Sequence, residues 1–169
     1  MKLQVILIAF LSMTTVLLGQ EKNTTKKTIE GTLDAWHQAA ANADFEAYFA
    51  LMTDTAIFIG TDATEIWDVK AFKSYSKPHF DKGRAWSFTS INRNIYLDDT
   101  SQNTAWFDEH LDTQMGVCRG SGILKKVDGS WKIQHYVLSI AVPNGNVADL
   151  TQSKKEWDSL YIKKMRKKD

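Results

Sequence analysis

The sequence predicts an α+β domain in which N-terminal helices cover a cone-shaped, curved antiparallel sheet and a further helix follows. Apolar residues recur at helical spacing before residue 81, and four strand-like runs fill residues 86–142. Asp128-Gly129 joins the last two runs and suits a type I′ hairpin turn, because both central residues must adopt positive φ. Helices followed by a strand meander are typical of α+β domains, in which the helices pack on one face of the sheet.

The first twenty residues have the pattern of a secretory signal peptide. Lys2 precedes an apolar run over residues 3–18, and Gly19-Gln20 supplies a cleavage region. The run is short for a full membrane span and contains polar residues, which favours cleavage over a membrane anchor. We therefore expect a secreted or periplasmic protein with no membrane association after the signal is removed.

The remaining chain divides into a polar linker (21–27), one domain (28–144) and a C-terminal helical tail (145–169). Helices are predicted over 28–42, 45–51, 69–80 and 147–168, and strands over 55–59, 86–97, 105–113, 117–127 and 131–142. Asp44 and Asp68 stand where N-cap residues of two of these helices are expected. The basic end of the tail is typical of a helix C-terminus, where cations favour the helix dipole, and an anionic partner is the alternative.

Charge and cysteine content narrow the functional classes. The chain carries 21 Lys and Arg against 20 Asp and Glu, so electrostatics gives no case for nucleic-acid binding. Cys118 is the only cysteine, which excludes an intramolecular disulfide and a cysteine-based zinc cluster. We expect Cys118 to be a small buried residue rather than a reactive thiol, and we expect no metal and no cofactor.

Strand alternation predicts which side chains face the core. Phe107, Glu109 and Leu111 share one face of their strand, and the Trp131/Ile133 face extends to His135 and Ser139. This placement makes Glu109 and His135 a candidate catalytic pair, since a carboxylate beside an imidazole can abstract and return a proton. The alternative is a structural network in which the two groups satisfy each other or pair with Arg119.

A polar turn over residues 60–65 is predicted to lie at the cavity mouth. It carries two acids and two threonine hydroxyls where a turn needs only one polar residue. Trp67 follows as a candidate aromatic wall, and an inward Arg119 would suit an anionic ligand. The candidate ligand-binding residues are Thr61, Asp62, Glu65, Trp67, Arg119 and Ser139.

Two motifs carry a resemblance to a known family: FIGTD-x-x-E-x-W from residue 58, and CRGSG followed by DG-x-WKI-x-HY-x-LS from residue 118. Together they resemble the SnoaL-like branch of the nuclear transport factor 2 superfamily over about residues 28–144. The resemblance implies a cone-shaped α+β barrel and a homodimer packed through the outer sheet face, where Tyr136, Leu138 and Ile140 are expected. Polyketide cyclases of this branch use an acidic residue and a histidine in the cavity, roles that Glu109 and His135 could supply here.

Three functional hypotheses remain open at this stage. The favoured one is an exported module that binds a small organic ligand without turnover, because no complete catalytic set can be assigned. The second is a cofactor-independent acid–base enzyme of the isomerase, cyclase or dehydratase type. The third is a dimerisation or accessory domain whose cavity is filled.

Overall fold

The structure is a computed structural model that describes residues 2–98 and 100–167, with side chains from residue 20 onward. The helices are α1 (Lys2–Ala41), α2 (Phe45–Ala50), α3 (Val69–Phe80) and α4 (Val147–Met165). The strands are β1 (Met52–Ile59), β2 (Ile66–Asp68), β3 (Phe88–Leu97), β4 (Thr104–Thr113), β5 (Gly116–Val127) and β6 (Ser130–Ile140). The predicted α+β class is confirmed.

The six strands form one curved sheet that does not close into a barrel, in the order β2-β1-β6-β5-β4-β3. Neighbouring strands are antiparallel except β1 and β6, which are parallel. The predicted meander accounts for β3 to β6, while β2 is an addition that pairs with β1 just before α3. The helices α1 and α3 pack against the sheet, α1 against β3 and β6 and α3 against β1 and β2.

Helix α1 buries one apolar stripe of its C-terminal half. Ile29, Leu33, Trp36 and Ala40 recur at helical spacing and are almost fully buried. The helix begins earlier than predicted, because residues 21–27, the predicted polar linker, are helical. This stretch contains no Gly or Pro, and the hydroxyl of Thr24 donates to the carbonyl of Gln20 within the helix.

The predicted signal peptide falls on residues 1–20, whose side chains, apart from that of Gln20, lie outside the described part of the chain. Export therefore stays a prediction. Within the described residues, no helix has both the length and the apolar character needed to cross a membrane.

The local signals for caps and turns are confirmed. Asp44 accepts a hydrogen bond from the Ala47 amide (3.0 Å) and Asp68 accepts one from the Ala71 amide (2.7 Å), as N-caps do. Asp128 and Gly129 have φ values of 49° and 80°, which is the type I′ geometry. Hence the register of β5 on β6 is set as the sequence predicts at the hairpin end.

A bulge in β6 changes the face of every residue that follows it. Ile123 of β5 pairs with His135, but the next residue, Leu124, pairs with Ile133, so Gln134 has no partner in β5. The side-chain amide of Gln134 instead bonds to β1: its Oε1 accepts from the Thr53 hydroxyl (3.0 Å) and its Nε2 donates to the carbonyl of Thr55 (3.0 Å). One extra residue in a strand reverses the alternation of side chains beyond it.

The faces predicted for the second half of β6 are therefore wrong. Trp131 and Ile133 face the core as expected, but beyond the bulge Tyr136 and Leu138 are buried. His135 and Ser139 lie on the opposite, outer face, with Ser139 exposed. Consequently the row of Tyr136, Leu138 and Ile140 cannot form the predicted outer dimer surface, since only Ile140 is exposed.

Helix α4 stands apart from the core. It has no buried residue, and Trp157 and Tyr161 stack on each other with ring centroids 4.9 Å apart. The Tyr161 hydroxyl donates to the carbonyl of Ala63 (2.9 Å), which ties the helix to the turn between β1 and β2.

The bulge makes a testable prediction about Leu138, whose exposed fraction is 5%. Leu138→Asp should lower the free energy of unfolding by more than about 3 kcal/mol, because it places an unpaired charge in the core. Ile140→Asp, at a position 48% exposed, should cost less than about 1 kcal/mol. Urea unfolding of both variants measures this, and equal small costs would contradict the inward placement of Leu138.

Candidate functional site

A pocket of about 170 Å³ opens where α3, the β1–β2 turn and the ends of β3 and β6 meet. We call it the aromatic pocket, because half of its lining residues are aromatic. The lining residues are Phe58, Gly60, Thr61, Glu65, Trp67, Phe72, Tyr75, Trp86, Phe88, Gln114, Met115 and Leu138. Phe58, Phe72, Phe88 and Leu138 are buried and form its floor, while Thr61, Gln114 and Met115 are exposed at the mouth.

The pocket wall is built from rings that lie nearly parallel. Phe72 stacks on Phe58 at 4.2 Å between ring centroids, with 17° between the ring planes. Trp67 and Trp86 lie 5.6 Å and 5.9 Å from Phe72, at 20° and 24° to it. Tyr75 stacks on Trp67 at 4.4 Å. Offset stacking of this kind stabilises the wall and presents flat apolar surface.

The turn at the mouth is held by its own hydrogen bonds. Gly60 donates from its amide to the carbonyl of Glu65 (2.9 Å), which closes the loop between β1 and β2. Asp62 Oδ1 accepts from both the amide and the hydroxyl of Thr64, at 2.8 and 2.6 Å. These hydrogen bonds lower the pKa of Asp62 and occupy its carboxylate within the turn.

The position of the Glu65 carboxylate depends on the glycine at residue 60. Its Oε2 accepts from the Asp62 amide at 3.2 Å. A Cβ atom on Gly60 would lie 2.2 Å from that same Oε2, so this position of the carboxylate requires glycine at residue 60. The turn thus places a carboxylate at the rim of the aromatic pocket.

Glu109 lies at the centre of a second constellation, the buried carboxylate network of Glu109, Arg93, His37 and Tyr136. Its Oε2 accepts from Arg93 Nε (2.8 Å), and Arg93 Nη2 lies 2.8 Å from the same oxygen without hydrogen-bond alignment. Its Oε1 lies 2.8 Å from His37 Nε2 and accepts from the Tyr136 hydroxyl at 3.3 Å. Arg93 Nη1 donates outward to Asp34 Oδ1 at 2.8 Å.

The network keeps Glu109 ionised. Burial raises the pKa of Glu109, but hydrogen bonding and attraction from His37 and Arg93 outweigh burial, so the net pKa is lowered. Burial and then the negative charge of Glu109 raise the pKa of Tyr136 well above its ordinary value. A buried charge that is paired and hydrogen-bonded in this way is tolerated in a core.

A close approach by β5 gives the network room. A Cβ atom on Gly120 would lie 2.3 Å from the Tyr136 hydroxyl and 3.0 Å from Cγ of Glu109. Any side chain at Gly120 would push these two groups apart, so glycine here is a requirement of the network.

The predicted catalytic pair is not brought together. Glu109 faces inward as predicted, but the bulge places His135 on the other face of the sheet. Arg119 is exposed and lies on the outer face, with Nη2 3.4 Å from Nε2 of His110. The predicted inward placements of Arg119 and Ser139 are therefore wrong. The buried face of β5 carries Cys118 and Gly120 instead of Arg119, and the bulge in β6 places Ser139 on the outer face.

Of the predicted ligand-binding residues, Thr61, Glu65 and Trp67 line the aromatic pocket. Asp62 lies in the same turn but is engaged with Thr64 and does not line the pocket. The sequence reading missed His37 and Arg93. Both could have been found, because His37 lies on the buried face of α1 and Arg93 shares its strand face with the buried Ile95.

Within the described residues, no group of three or more His, Cys, Asp or Glu side chains could hold a metal ion. Cys118 is fully buried, as predicted, with Sγ 3.4 Å from the Thr113 hydroxyl.

The fold, α+β with a curved sheet, is shared with solved structures described as nuclear transport factor 2-like. The sequence profile of the SnoaL-like domain matches residues 29–143, and the chain therefore belongs to the SnoaL-like family. None of the curated proteins matches the chain.

Solved structures share this fold at low sequence identity. A nuclear transport factor 2-like protein of unknown function from Pseudomonas putida superposes with a TM-score of 0.60 at 12% identity, covering 72% of this chain and 90% of that one. A nuclear transport factor 2-like protein from Cytophaga hutchinsonii superposes with a TM-score of 0.57 at 16% identity, covering 69% of this chain and 98% of that one. A candidate dehydratase from Streptomyces avermitilis superposes with a TM-score of 0.62 at 10% identity, covering 72% of this chain and 99% of that one.

The network makes a prediction about stability. Glu109→Gln should lower the free energy of unfolding at pH 7 by roughly 3–5 kcal/mol, because it leaves the Arg93 guanidinium without its buried counter-charge. Glu156→Gln, at an exposed position of α4, is the matched control and should change the free energy of unfolding by less than about 0.5 kcal/mol.

The pH dependence distinguishes charge from shape in this variant. The pKa of Glu109 is lowered in the folded state. The stabilisation that its charge supplies is therefore fully present above the unfolded-state pKa of about 4.3 and is lost as the pH falls through the lower folded-state pKa. The difference in the free energy of unfolding between wild type and Glu109→Gln should therefore become smaller when urea unfolding is measured at successively lower pH, from pH 7 to pH 3. A difference that stays constant over this range would contradict an ionised Glu109.

Proposed function

We propose that this SnoaL-like domain binds a small organic ligand in the aromatic pocket without converting it. The observation that carries the proposal is a pocket of about 170 Å³ whose wall and floor are mostly aromatic rings and whose mouth carries polar side chains such as Thr61 and Gln114. Ligand sites are typically apolar clefts with few polar groups, and a cavity of about 150 Å³ is enough to hold benzene. The volume therefore suits a ligand part of about one ring, with any substituent extending toward the mouth.

Binding is favoured over catalysis by the position of the buried acid. A general base must come within hydrogen-bond reach of its substrate. Glu109 is not among the residues that line the aromatic pocket, and both of its oxygens are engaged by Arg93, His37 and Tyr136. Its lowered pKa further weakens it as a proton acceptor. The open pocket, in turn, favours a ligand over an accessory domain with a filled cavity.

The ligand proposal predicts a role for Trp67, which forms one wall. Benzyl alcohol should bind saturably and move the side-chain N–H signals of Trp67 and Trp86 among the six tryptophans in NMR spectra. Trp67→Leu should weaken binding roughly three- to tenfold, because the ring stacking that it provides is lost.

Trp106→Leu is the control, since Trp106 is an exposed tryptophan of β4 outside the pocket. Unchanged affinity in Trp67→Leu, or equal losses in both variants, would refute binding in the aromatic pocket. A ligand that is retained through purification and identified by mass spectrometry would name the natural occupant.

We also propose export, which rests on the signal-peptide pattern of residues 1–20. N-terminal sequencing of protein exported by the native host should show a mature chain that begins near Glu21. Exported protein that still begins at Met1 would contradict this.

A homodimer through the outer sheet face remains our proposal for assembly, with a different set of residues from those first expected. Tyr96, Trp106 and Ile123 are exposed apolar residues of β3, β4 and β5, and the rings of Tyr96 and Trp106 stack at 5.8 Å. An exposed apolar patch of this kind favours contact with another protein surface.

A further inference from the structure

The lining of the aromatic pocket carries a negative charge and no positive charge. Glu65 is the one carboxylic acid among its lining residues, all of which lie in the described part of the chain. None of these lining residues is Lys, Arg or His. Within the described residues, no Lys or Arg forms an ion pair with Glu65. Glu65 is half-buried, so its charge is less screened by solvent than that of a fully exposed side chain.

The nearest helix, α3, directs two of its three lysines elsewhere, and the third, Lys70, is exposed. Lys73 of α3 lies over the Phe49 ring, with Nζ 5.3 Å from the ring centroid, and Lys77 lies over Phe45 at 5.5 Å. Lys77 also forms an ion pair with Asp81. Both lysines therefore face α2, away from the aromatic pocket.

The carboxylate of Glu65 acts on the pocket wall. Burial and, after it, the negative charge of Glu65 raise the pKa of Tyr75. The Tyr75 ring stacks on Trp67, so the field of Glu65 reaches the wall that a ligand would contact. A cation gains both from such a carboxylate and from the negative faces of aromatic rings.

We infer that the aromatic pocket selects a small organic cation, with a body of about one ring against the aromatic wall and a protonated amine or similar group beside Glu65. This inference rests on the proposed function and adds the charge class of the ligand. It draws on three features together: the aromatic lining, the single carboxylate at the rim, and the absence of a counter-cation among the described lining residues.

The test compares three probes that share a ring and differ in charge: benzylammonium, benzyl alcohol and benzoate, titrated at pH 7 by calorimetry and by tryptophan N–H signals in NMR. Benzylammonium should bind about tenfold more tightly than benzyl alcohol, which corresponds to the combined gain from the rings and the carboxylate. Benzoate should bind more weakly than either.

Two variants locate the origin of the preference. Glu65→Gln keeps the size of the side chain and removes its charge, so the preference for benzylammonium over benzyl alcohol should fall from about tenfold to the roughly two- to threefold that the ring faces supply. Gly60→Ala retains the carboxylate but displaces it, because the new Cβ would lie 2.2 Å from Oε2. It should likewise reduce the preference for benzylammonium over benzyl alcohol.

The outcomes separate the inference from the proposed function. Equal binding of benzylammonium and benzyl alcohol, or an undiminished preference in Glu65→Gln, would overturn cation selection and leave ligand binding in place. Failure of all three probes to bind saturably would overturn both.

Discussion

One extra residue in β6 determines how the interior of this domain is organised. Because Gln134 bulges out of register with β5, Tyr136 and Leu138 face inward while His135 and Ser139 face outward. Tyr136 then reaches Glu109, and Leu138 becomes part of the floor of the aromatic pocket. The bulge is held from the side by Thr53 and Thr55, so β1 joins the sheet at the point where β6 needs hydrogen-bond partners.

Two layers follow from this arrangement, one polar and one aromatic. The buried carboxylate network lies directly behind the pocket floor, since Tyr136 stacks on Phe58 at 5.4 Å and His37 meets Phe88 edge-on at 5.9 Å. Removing one member of a buried, paired network is costly, so the network constrains the rings that pack on it. The floor of the pocket is thus held rigidly, whereas its mouth consists of a turn and exposed side chains.

Most of the fold was readable from sequence, but the predicted site was only partly correct. The alternation of Phe107, Glu109 and Leu111 gave the right face, because β4 has no irregularity against β5. The same rule failed for His135, because alternation carries no signal for a bulge. The turn residues Thr61 and Glu65 were found from local composition. The other rings of the pocket wall come from α3 and from the segment that leads into β3, and only tertiary packing brings them together.

The two buried or half-buried acids differ in the charge that they leave for a partner. Glu109 meets a guanidinium, an imidazole and a phenol, so its negative charge is compensated inside the protein. Glu65 accepts one hydrogen bond, from the Asp62 amide, and none of the other described residues compensates its charge with an ion pair. An uncompensated carboxylate beside ring faces attracts cations and repels anions. The fold therefore uses one carboxylate to hold its core together and leaves the other without a counter-charge at the rim of the pocket.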